Sequence, residues 1–272
     1  MAFNPERGKY YRMPVFFGPL PGPRQWPDGL EPDFSKNPKR RVIGVRYRSD
    51  REAIEACLPA GFSVWGDPIV TVEVTYMTEL DWLAGRGYNM CDVKVPATFQ
   101  SKEGPVNATF LFVRWEDLCD PILSGREELG HNKLYCEIPP IASVNGSHRS
   151  VMSWLHYPFL DVSVSELEPA APPAGNPANR GLLSYKYMPK TGPWGEADVA
   201  YATLTPPAWN GKVLNYWRGK GQVKWERPAW QDLPTQYTVV NGFAAWPTLE
   251  FLGGYMLEME GGASGSETHR ID

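Results

Sequence analysis

The sequence lacks several features that would assign a partner or a compartment directly. No apolar run reaches the ~18–20 residues of a membrane-spanning helix. The polar start of the chain, Met1 to Arg12, has none of the apolar core of a signal peptide. Basic residues are not in excess either, because 27 Lys and Arg stand against 31 Asp and Glu, a net charge of −4. These absences argue against membrane and nucleic-acid partners, and we expect a cytoplasmic protein.

Cysteine and histidine are few, and their spacing is unsuited to metal ligation. No two cysteines form a Cys-x-x-Cys pair, and the histidines have no His-Glu-x-x-His spacing. A phosphate-binding loop and a Gly-x-Ser-x-Gly segment are also absent. We therefore expect neither a metal nor a cofactor. In a reducing compartment the cysteines are predicted to be small buried apolar side chains; they are Cys57, Cys91, Cys119 and Cys136.

Glycine and proline, by contrast, are abundant, with 26 and 27 residues, and the chain has 11 tryptophans. Gly and Pro cost roughly 1 and 3 kcal/mol in a helix interior, so this composition disfavours a helical bundle. It suits short strands joined by tight turns. We predict one mainly β (α+β) domain over residues 1–272, with a few short helices.

Both ends are predicted to extend from this domain. Residues 1–40 are rich in proline and aromatics, and prolines 19, 21 and 23 favour an extended path. This N-terminal arm is expected to wrap its own domain or a neighbouring subunit; docking to an SH3-like partner is the less favoured alternative. Residues 261–272 are predicted to be a flexible tail.

Local patterns predict the main elements. The capping box Ser49-Asp50-Arg51-Glu52 predicts a helix that runs to about Leu58. Alternation over Ile69–Met77 predicts a strand with valines on one face and Glu73 on the other. Further strands are predicted over 42–47, 108–115, 133–138, 154–166, 183–188, 197–204, 213–217, 222–227 and 237–240.

One lysine lies where burial would give it chemistry. Lys133 follows a Gly-Arg-Glu-Glu segment and begins the apolar run Leu134-Tyr135-Cys136. Burial disfavours an ammonium ion and lowers the pKa of a lysine, and only the neutral amine attacks a carbonyl to form a Schiff base. The pattern alone favours a surface lysine at a strand end over a desolvated amine.

Three ordered groups of residues resemble the acetoacetate decarboxylase-like superfamily. Their order and spacing, more than any one motif, make the resemblance specific. They are Tyr47-Arg48-Ser49-Asp50 with Leu58-Pro59, Asp67-Pro68 and Glu73; Gly87-Tyr88-Asn89 with Val95-Pro96 and the stretch that ends at Lys133; and Asp232-Leu233-Pro234.

The resemblance implies an antiparallel β-barrel or cone within a larger sheet, and a homo-oligomer (dimer, tetramer or larger). It implies that Lys133 is the Schiff-base lysine inside the cavity, that Arg40 holds a substrate carboxylate, and that Glu73 is an active-site glutamate. From the residues alone, Arg40 is equally compatible with a solvated basic cluster. Glu73 faces either solvent or a cavity.

Two positions depart from the family pattern. The true decarboxylases have a second lysine after the Schiff-base lysine, and this chain has Leu134. The family glutamate two residues after Tyr88 is replaced by Met90, and Asp92 lies on the same face of a strand and is a candidate replacement. Tyr88 and Met90 are expected to contact substrate, although Tyr88 is favoured as a packing residue over an acid.

We therefore expect a Schiff-base-forming lyase that acts on a small keto acid. The reaction is either decarboxylation of a β-keto acid or aldol, dehydratase or hydratase chemistry on a 2-oxo acid. Lys133 would be the nucleophile, and Glu73 with Asp92 would move protons. The alternatives are a non-catalytic binding protein for a small aromatic or hydrophobic acid, and an inactive subunit that assembles through its arm.

Overall fold

An extended sheet of fourteen strands forms the body of the computed structural model, which describes residues 4–208, 210–262, 265 and 267–272. Period-two alternation of apolar side chains runs along its central strands, as expected for strands with one buried face. The strands are β1 (Lys39–Arg48), β2 (Phe62–Val64), β3 (Ile69–Leu80), β4 (Arg86–Ser101), β5 (Gly104–Glu116), β6 (Lys133–Tyr135), β7 (Ala142–Val144), β8 (Ser147–Trp154), β9 (Tyr157–Pro169), β10 (Leu182–Pro189), β11 (Ala197–Thr205), β12 (Lys212–Trp225), β13 (Glu250–Glu260) and β14 (His269–Arg270).

Helices are short and few. They are α1 (Arg51–Glu55), α2 (Cys119–Ser124) and α3 (Tyr237–Ala245), with single helical turns at Val15–Phe17, Asp81–Leu83 and Gly125–Leu129. The prediction of a mainly β fold with a few short helices is confirmed. No helix within the described ranges is long and apolar enough to cross a membrane.

The sheet order is β14-β11-β10-β5-β4-β3-β1-β13-β12-β9-β8-β7, with β2 beside β4 and β6 beside β5. Neighbours pair antiparallel except that β5 runs parallel to both β6 and β10. The large, mostly antiparallel sheet matches the prediction, but it does not close into a barrel. In the described part of the chain the two edge strands are the two-residue β14 and the exposed β7. They do not pair with each other, so the sheet is open.

The central strands β3, β4 and β5 have one apolar and one charged face. On the apolar face, residues such as Val74, Cys91 and Trp115 are fully buried, and α3 adds Phe243 to their cluster. On the charged face the register places Glu73 opposite Asp92. These strands therefore separate a hydrophobic core from a polar site.

Several local predictions are corrected by tertiary packing. The strand predicted at 237–240 is the start of α3, because Val240 packs into the core as part of a helix.

The helix α1 ends at Glu55, not near Leu58. Its N-cap is Asp50, which accepts a hydrogen bond from the backbone N–H of Ala53 at 2.8 Å. The Ser49 hydroxyl instead donates to the carbonyl of Pro247. Residues 213–217 and 222–227 belong to one strand, β12, that ends at residue 225, and the run 154–166 is divided between β8 and β9.

The N-terminal arm lies against its own chain. Pro23, Arg24 and Phe34 line a cavity on the charged face of the sheet, whereas Phe16 and Phe17 are exposed. The tail predicted to be flexible is tied to the sheet at its end, because β14 pairs with β11. Residues 263, 264 and 266 of that tail lie outside the described residues.

The cysteines divide into two pairs by environment. Cys91 and Cys136 are buried, as predicted. Cys57 and Cys119 are exposed, so the prediction is wrong for these two. Cys57 follows the short helix α1 and Cys119 begins α2, and neither position lies on a core-facing strand.

Candidate active site

A cavity of about 300 Å³ lies between the charged face of the sheet and the N-terminal arm. Four residues singled out from the sequence line it together: Arg40 from β1, Tyr88 and Met90 from β4, and Lys133 from β6. Arg114 of β5 and Arg24 of the arm line it as well. The cavity is therefore rich in positive charge.

Lys133 reaches this cavity because of how β6 begins. Gly130 adopts a left-handed conformation (φ 75°) and ends the preceding helical turn, so that the chain re-enters beside β5. The pairing is parallel and places Lys133 beside Arg114. The sequence pattern favoured a surface lysine, but Lys133 is buried, with only 5% of the residue exposed.

The Lys133 amine has two acceptors. Its Nζ donates to Oε1 of Glu116 at 2.7 Å and to the carbonyl oxygen of Pro121 at 2.8 Å. Burial lowers the pKa of Lys133 to about 8, with the Glu116 carboxylate opposing the shift and the charges of Arg114 and Arg24 adding to it. A substantial fraction of the amine is therefore neutral near pH 8.

Gly125 provides the space that the lysine occupies. A Cβ at this position would lie 2.3 Å from Cε of Lys133 and 2.6 Å from its Nζ. Any larger residue would have to displace the amine. The glycine before the Arg-Glu-Glu run is thus part of the geometry of the site.

Two arginines provide positive charge near Lys133, although the second lysine of the family pattern is replaced by Leu134. Leu134 belongs to the hydrophobic side of β6 and packs against the core cluster. Arg114, the neighbour of Lys133 across the sheet, and Arg24 both lower the pKa of Lys133 by like-charge repulsion. Arginines from a neighbouring strand and from the arm therefore add to the effect of burial.

Arg40 differs from the other cations of the cavity, because it has no acidic partner in the described part of the chain. Arg114 pairs with Asp92, Lys133 pairs with Glu116, and Arg24 pairs with Glu128. Among the described residues no carboxylate lies within ion-pair distance of Arg40, whose Nη1 donates to the carbonyl of Gly261 at 2.7 Å. Burial lowers the pKa of Arg40, although a guanidinium stays charged at neutral pH.

Glu73 and Asp92, the predicted proton-transfer groups, lie on the charged face but do not line the cavity in the described part of the chain. Glu73 accepts from Lys94 Nζ at 2.8 Å and from the Tyr255 hydroxyl. The ring of Tyr255 fits there because Gly44 opposite it has no Cβ. Both oxygens of Glu73 are thus engaged.

Asp92 is held by Arg114 in a two-point ion pair. Nε and Nη2 of Arg114 donate to its two oxygens at 2.6 and 2.7 Å. Burial alone would raise the pKa of Asp92, but Arg114, Lys94 and Lys133 outweigh it and leave the pKa below its ordinary value. Alternation along β4 does place Asp92 on the face of Met90, as expected, yet its carboxylate is committed to orienting Arg114.

Glu116 is the main residue that sequence reasoning did not find. It lies directly opposite Met90 in the β4–β5 register, so a carboxylate stands on the neighbouring strand where β4 has a methionine. Burial raises the pKa of Glu116, opposed by Lys133 and Arg114. The alternation of β5, with Val113 and Trp115 on the apolar face, was the available signal.

Two further groups shape the cavity wall. Burial raises the pKa of Tyr88 well above its usual range, and the ring packs edge-on against Trp82 with centroids 6.3 Å apart. Burial together with the charges of Arg114 and Lys133 lowers the pKa of His131, so this imidazole is neutral. Its Nε2 lies 3.1 Å from the hydroxyl of Thr205. No cluster of three or more His, Cys, Asp or Glu side chains suited to a metal occurs among the residues that the structure describes.

Comparisons with known proteins bear on the family and the fold of the chain. A family model described as acetoacetate decarboxylase (ADC) matches residues 12–260. No curated protein matches the chain. Among solved structures, an acetoacetate decarboxylase is 14% identical, with a TM-score of 0.68 over 87% of this chain and 91% of that chain.

Two other solved structures share the fold. An acetoacetate decarboxylase-like enzyme from Sphingomonas wittichii RW1 is 15% identical, with a TM-score of 0.66 over 86% of this chain and 92% of that chain. The enduracididine biosynthesis enzyme MppR, complexed with the condensation product of pyruvate and imidazole 4-carboxaldehyde, is 16% identical, with a TM-score of 0.65 over 86% of this chain and 87% of that chain. At these identities the likeness is one of fold.

Proposed function

Since the chain belongs to the acetoacetate decarboxylase family, we propose that it is a lyase that forms a Schiff base between Lys133 and the ketone of a small keto acid. One observation carries the proposal. A buried amine with a pKa of about 8 shares a cavity with Arg40, a guanidinium that has no carboxylate partner among the described residues. Such a pair suits a substrate that has both a carbonyl and a carboxylate.

The chemistry begins when neutral Lys133 attacks the substrate ketone. Loss of water gives an iminium ion, which accepts an electron pair from the bond that breaks next. That bond is the one to CO₂ in a β-keto acid, or a C–H bond beside the iminium carbon in a 2-oxo acid. The resulting enamine is then protonated, or it adds to an aldehyde before dehydration.

The cavity walls support a small substrate with a short apolar part. Arg40 would bind the carboxylate in two-point fashion, while Tyr88, Met90 and Met77 give an apolar wall. The complexed product in MppR derives from pyruvate, and acetoacetate decarboxylase shares the same fold. Both the decarboxylation and the aldol-type branch therefore fall within the proposal.

Borohydride trapping tests the proposal. The chain is mixed with pyruvate or acetoacetate, reduced, digested and mapped by mass spectrometry, and we expect the adduct on Lys133. Lys94 is an internal control, because it is also buried but Glu73 and Asp92 outweigh burial and raise its pKa, which keeps it an ammonium ion. Absence of an adduct at Lys133 with every keto acid tried would count against the proposal.

The Lys133→Arg variant separates catalysis from simple binding. It keeps a positive charge but cannot form an imine, so we expect it to bind a keto acid and give no adduct and no turnover. If the wild-type chain binds the acid, gives no adduct, and Lys133→Arg binds equally well, a non-catalytic binding protein is the better description.

The rate of imine formation should also depend on pH with a defined sign. The attacking species is the free amine, so the rate should rise with pH and level off above about pH 8. An ordinary lysine would still be gaining reactivity near pH 10. Trapping rates measured between pH 6 and 10 give the profile.

A further inference from the structure

Glu116 is a fully buried acid in direct contact with the reacting nitrogen. Its side chain is 0% exposed, and its Oε1 lies 2.7 Å from Lys133 Nζ. Its second oxygen, Oε2, has no hydrogen-bond partner among the residues that the structure describes. A buried carboxylate oxygen without a hydrogen-bond partner costs free energy, so its presence here calls for an explanation.

The other acids on this face are fully engaged. Asp92 uses both oxygens for Arg114, and Glu73 uses both for Lys94 and Tyr255. Their hydrogen bonds stabilise the sheet and orient cations. Glu116 alone among these three acids contacts the proposed nucleophile and keeps an oxygen available for a second partner.

We propose that Glu116 is a catalytic proton relay for imine formation and imine hydrolysis at Lys133. This inference rests on the proposed Schiff-base function. It differs from the sequence-based expectation, in which Glu73 and Asp92 move the protons.

The relay returns Glu116 to its carboxylate form at the end of imine formation. The Lys133 ammonium first gives a proton to Glu116, which leaves a neutral amine and a carboxylic acid. The nitrogen lone pair then forms the C–N bond, and the ketone oxygen becomes an alkoxide. The acid protonates this oxygen, and the carboxylate takes a proton from the nitrogen, which gives a neutral carbinolamine. Glu116 finally protonates the hydroxyl, water leaves, and the nitrogen lone pair forms the iminium, with Glu116 again a carboxylate.

The electrostatics of the pair suit such an exchange. Burial raises the pKa of Glu116 and lowers the pKa of Lys133 to about 8, so the two groups approach each other in proton affinity. A smaller gap lowers the free-energy cost of passing a proton between them, which favours general acid–base catalysis. An isolated surface lysine and glutamate would differ by about six pKa units and would stay as an ion pair.

A static electrostatic role and a relay role predict opposite effects of losing the carboxylate. The negative charge of Glu116 raises the pKa of Lys133. If that were its whole role, Glu116→Gln would give more neutral amine at pH 7 and faster imine formation. If Glu116 relays protons, the same variant should react more slowly despite having more free amine.

The experiment measures the rate of adduct formation at Lys133 with pyruvate, by borohydride quenching at successive times between pH 6 and 9. For Glu116→Gln we expect a fall on the order of 100-fold at pH 7. Glu116→Asp should retain part of the rate. Asp117→Asn is the matched control, because this neighbouring carboxylate bonds to Asn89 and not to Lys133, and it should react like the wild type.

Added formate gives a second readout. In Glu116→Ala, a small carboxylic acid can enter the vacated space, and we expect it to restore part of the rate in a concentration-dependent way. Equal or faster trapping in Glu116→Gln, or no formate effect in Glu116→Ala, would overturn the relay. A wild-type chain that gives no adduct would instead overturn the Schiff-base function itself, so the two failures are distinct.

Discussion

The two faces of strands β3, β4 and β5 solve different physical problems with alternate residues of the same strands. On the core face, Val74, Cys91 and Trp115 are fully buried and need only apolar neighbours. On the charged face, which borders the cavity and is the cavity face of the sheet, Asp92 and Arg114 are also largely buried. Each needs a specific partner of opposite charge. Burial of the apolar side chains stabilises the core face by itself. Burial of the charged side chains on the other face is tolerated only because each has a partner of opposite charge.

The two lysines of the cavity face also depend on their charged neighbours. Lys94 has two acids beside it, Glu73 and Asp92, and its pKa rises despite burial. Lys133 has one acid, Glu116, and arginines nearby, and its pKa falls to about 8. The pKa values of two buried lysines on one sheet therefore shift in opposite directions, because the balance between desolvation and charged partners differs. Of these two lysines, Lys133 therefore has the pKa that the proposed nucleophile requires.

The largest expected effect comes from breaking a charge pair on the cavity face. Asp92→Leu leaves Arg114 buried without its acid, and loss of one partner of a buried pair typically costs about 3–5 kcal/mol. Urea unfolding should show this loss of free energy of unfolding.

The matched control removes both charges. Asp92→Leu combined with Arg114→Met should recover most of the lost stability, since replacing a whole buried pair by apolar groups is often close to neutral. If the double variant is as unstable as the single one, shape and not charge pairing determines the stability of this face.

A truncation on the core face should be somewhat smaller and different in kind. Ile43 is fully buried on β1 beside Val74 of β3, and Ile43→Ala should cost about 2–5 kcal/mol of unfolding free energy. The pH profile of imine formation should not change in the folded protein, because this side chain faces away from the cavity. A shifted profile would mean that the two faces are coupled more closely than their contacts indicate.

Sequence reasoning was most successful where one face is plainly apolar. The alternation in β3 predicted the strand, and ordered motifs led to Lys133 and Arg40, which do line one cavity. It did not predict β4 as a strand, because Asp92 and Lys94 on its charged face interrupt the apolar pattern of the other face. Charged residues that pair with one another on one face of a strand therefore also obscure the strand from pattern analysis.

Contacts between residues far apart in the chain could not be predicted from the sequence either. Glu116 and Lys133 are 17 residues apart and meet only because β6 lies beside β5. The β-branched run at 237–240 suggested a strand, yet that segment is helical because α3 places Val240 and Phe243 in the core. In both cases tertiary contacts, absent from any local window, decide the outcome.

A smaller effect on stability, but a clear one on reactivity, is expected at Gly125. Gly125→Ala puts a methyl group where Cε and Nζ of Lys133 lie, so the amine must move from Glu116 and Pro121. We expect trapping at Lys133 to slow roughly tenfold, which corresponds to about 1.4 kcal/mol. Time-resolved borohydride trapping measures it.

Gly242→Ala is the control for adding a methyl group to a glycine. Gly242 lies within α3, and nothing lies within 4 Å of its added Cβ. This variant should gain about 0.5–1 kcal/mol of stability and react normally at Lys133. Normal trapping in Gly125→Ala would show that the lysine can adjust without loss of function.

The smallest effect tests how the arm contributes to the cavity face. The charge of Arg24 lowers the pKa of Lys133, so Arg24→Met should move the midpoint of the imine-forming pH profile upward from about 8. The sign follows because removal of a nearby positive charge makes the ammonium form easier to keep. Arg12→Met is the control, since Arg12 pairs with the same Glu128 from an earlier part of the arm and should leave the midpoint in place. Equal upward shifts in both variants would assign the effect to the position of the arm and not to the charge of Arg24.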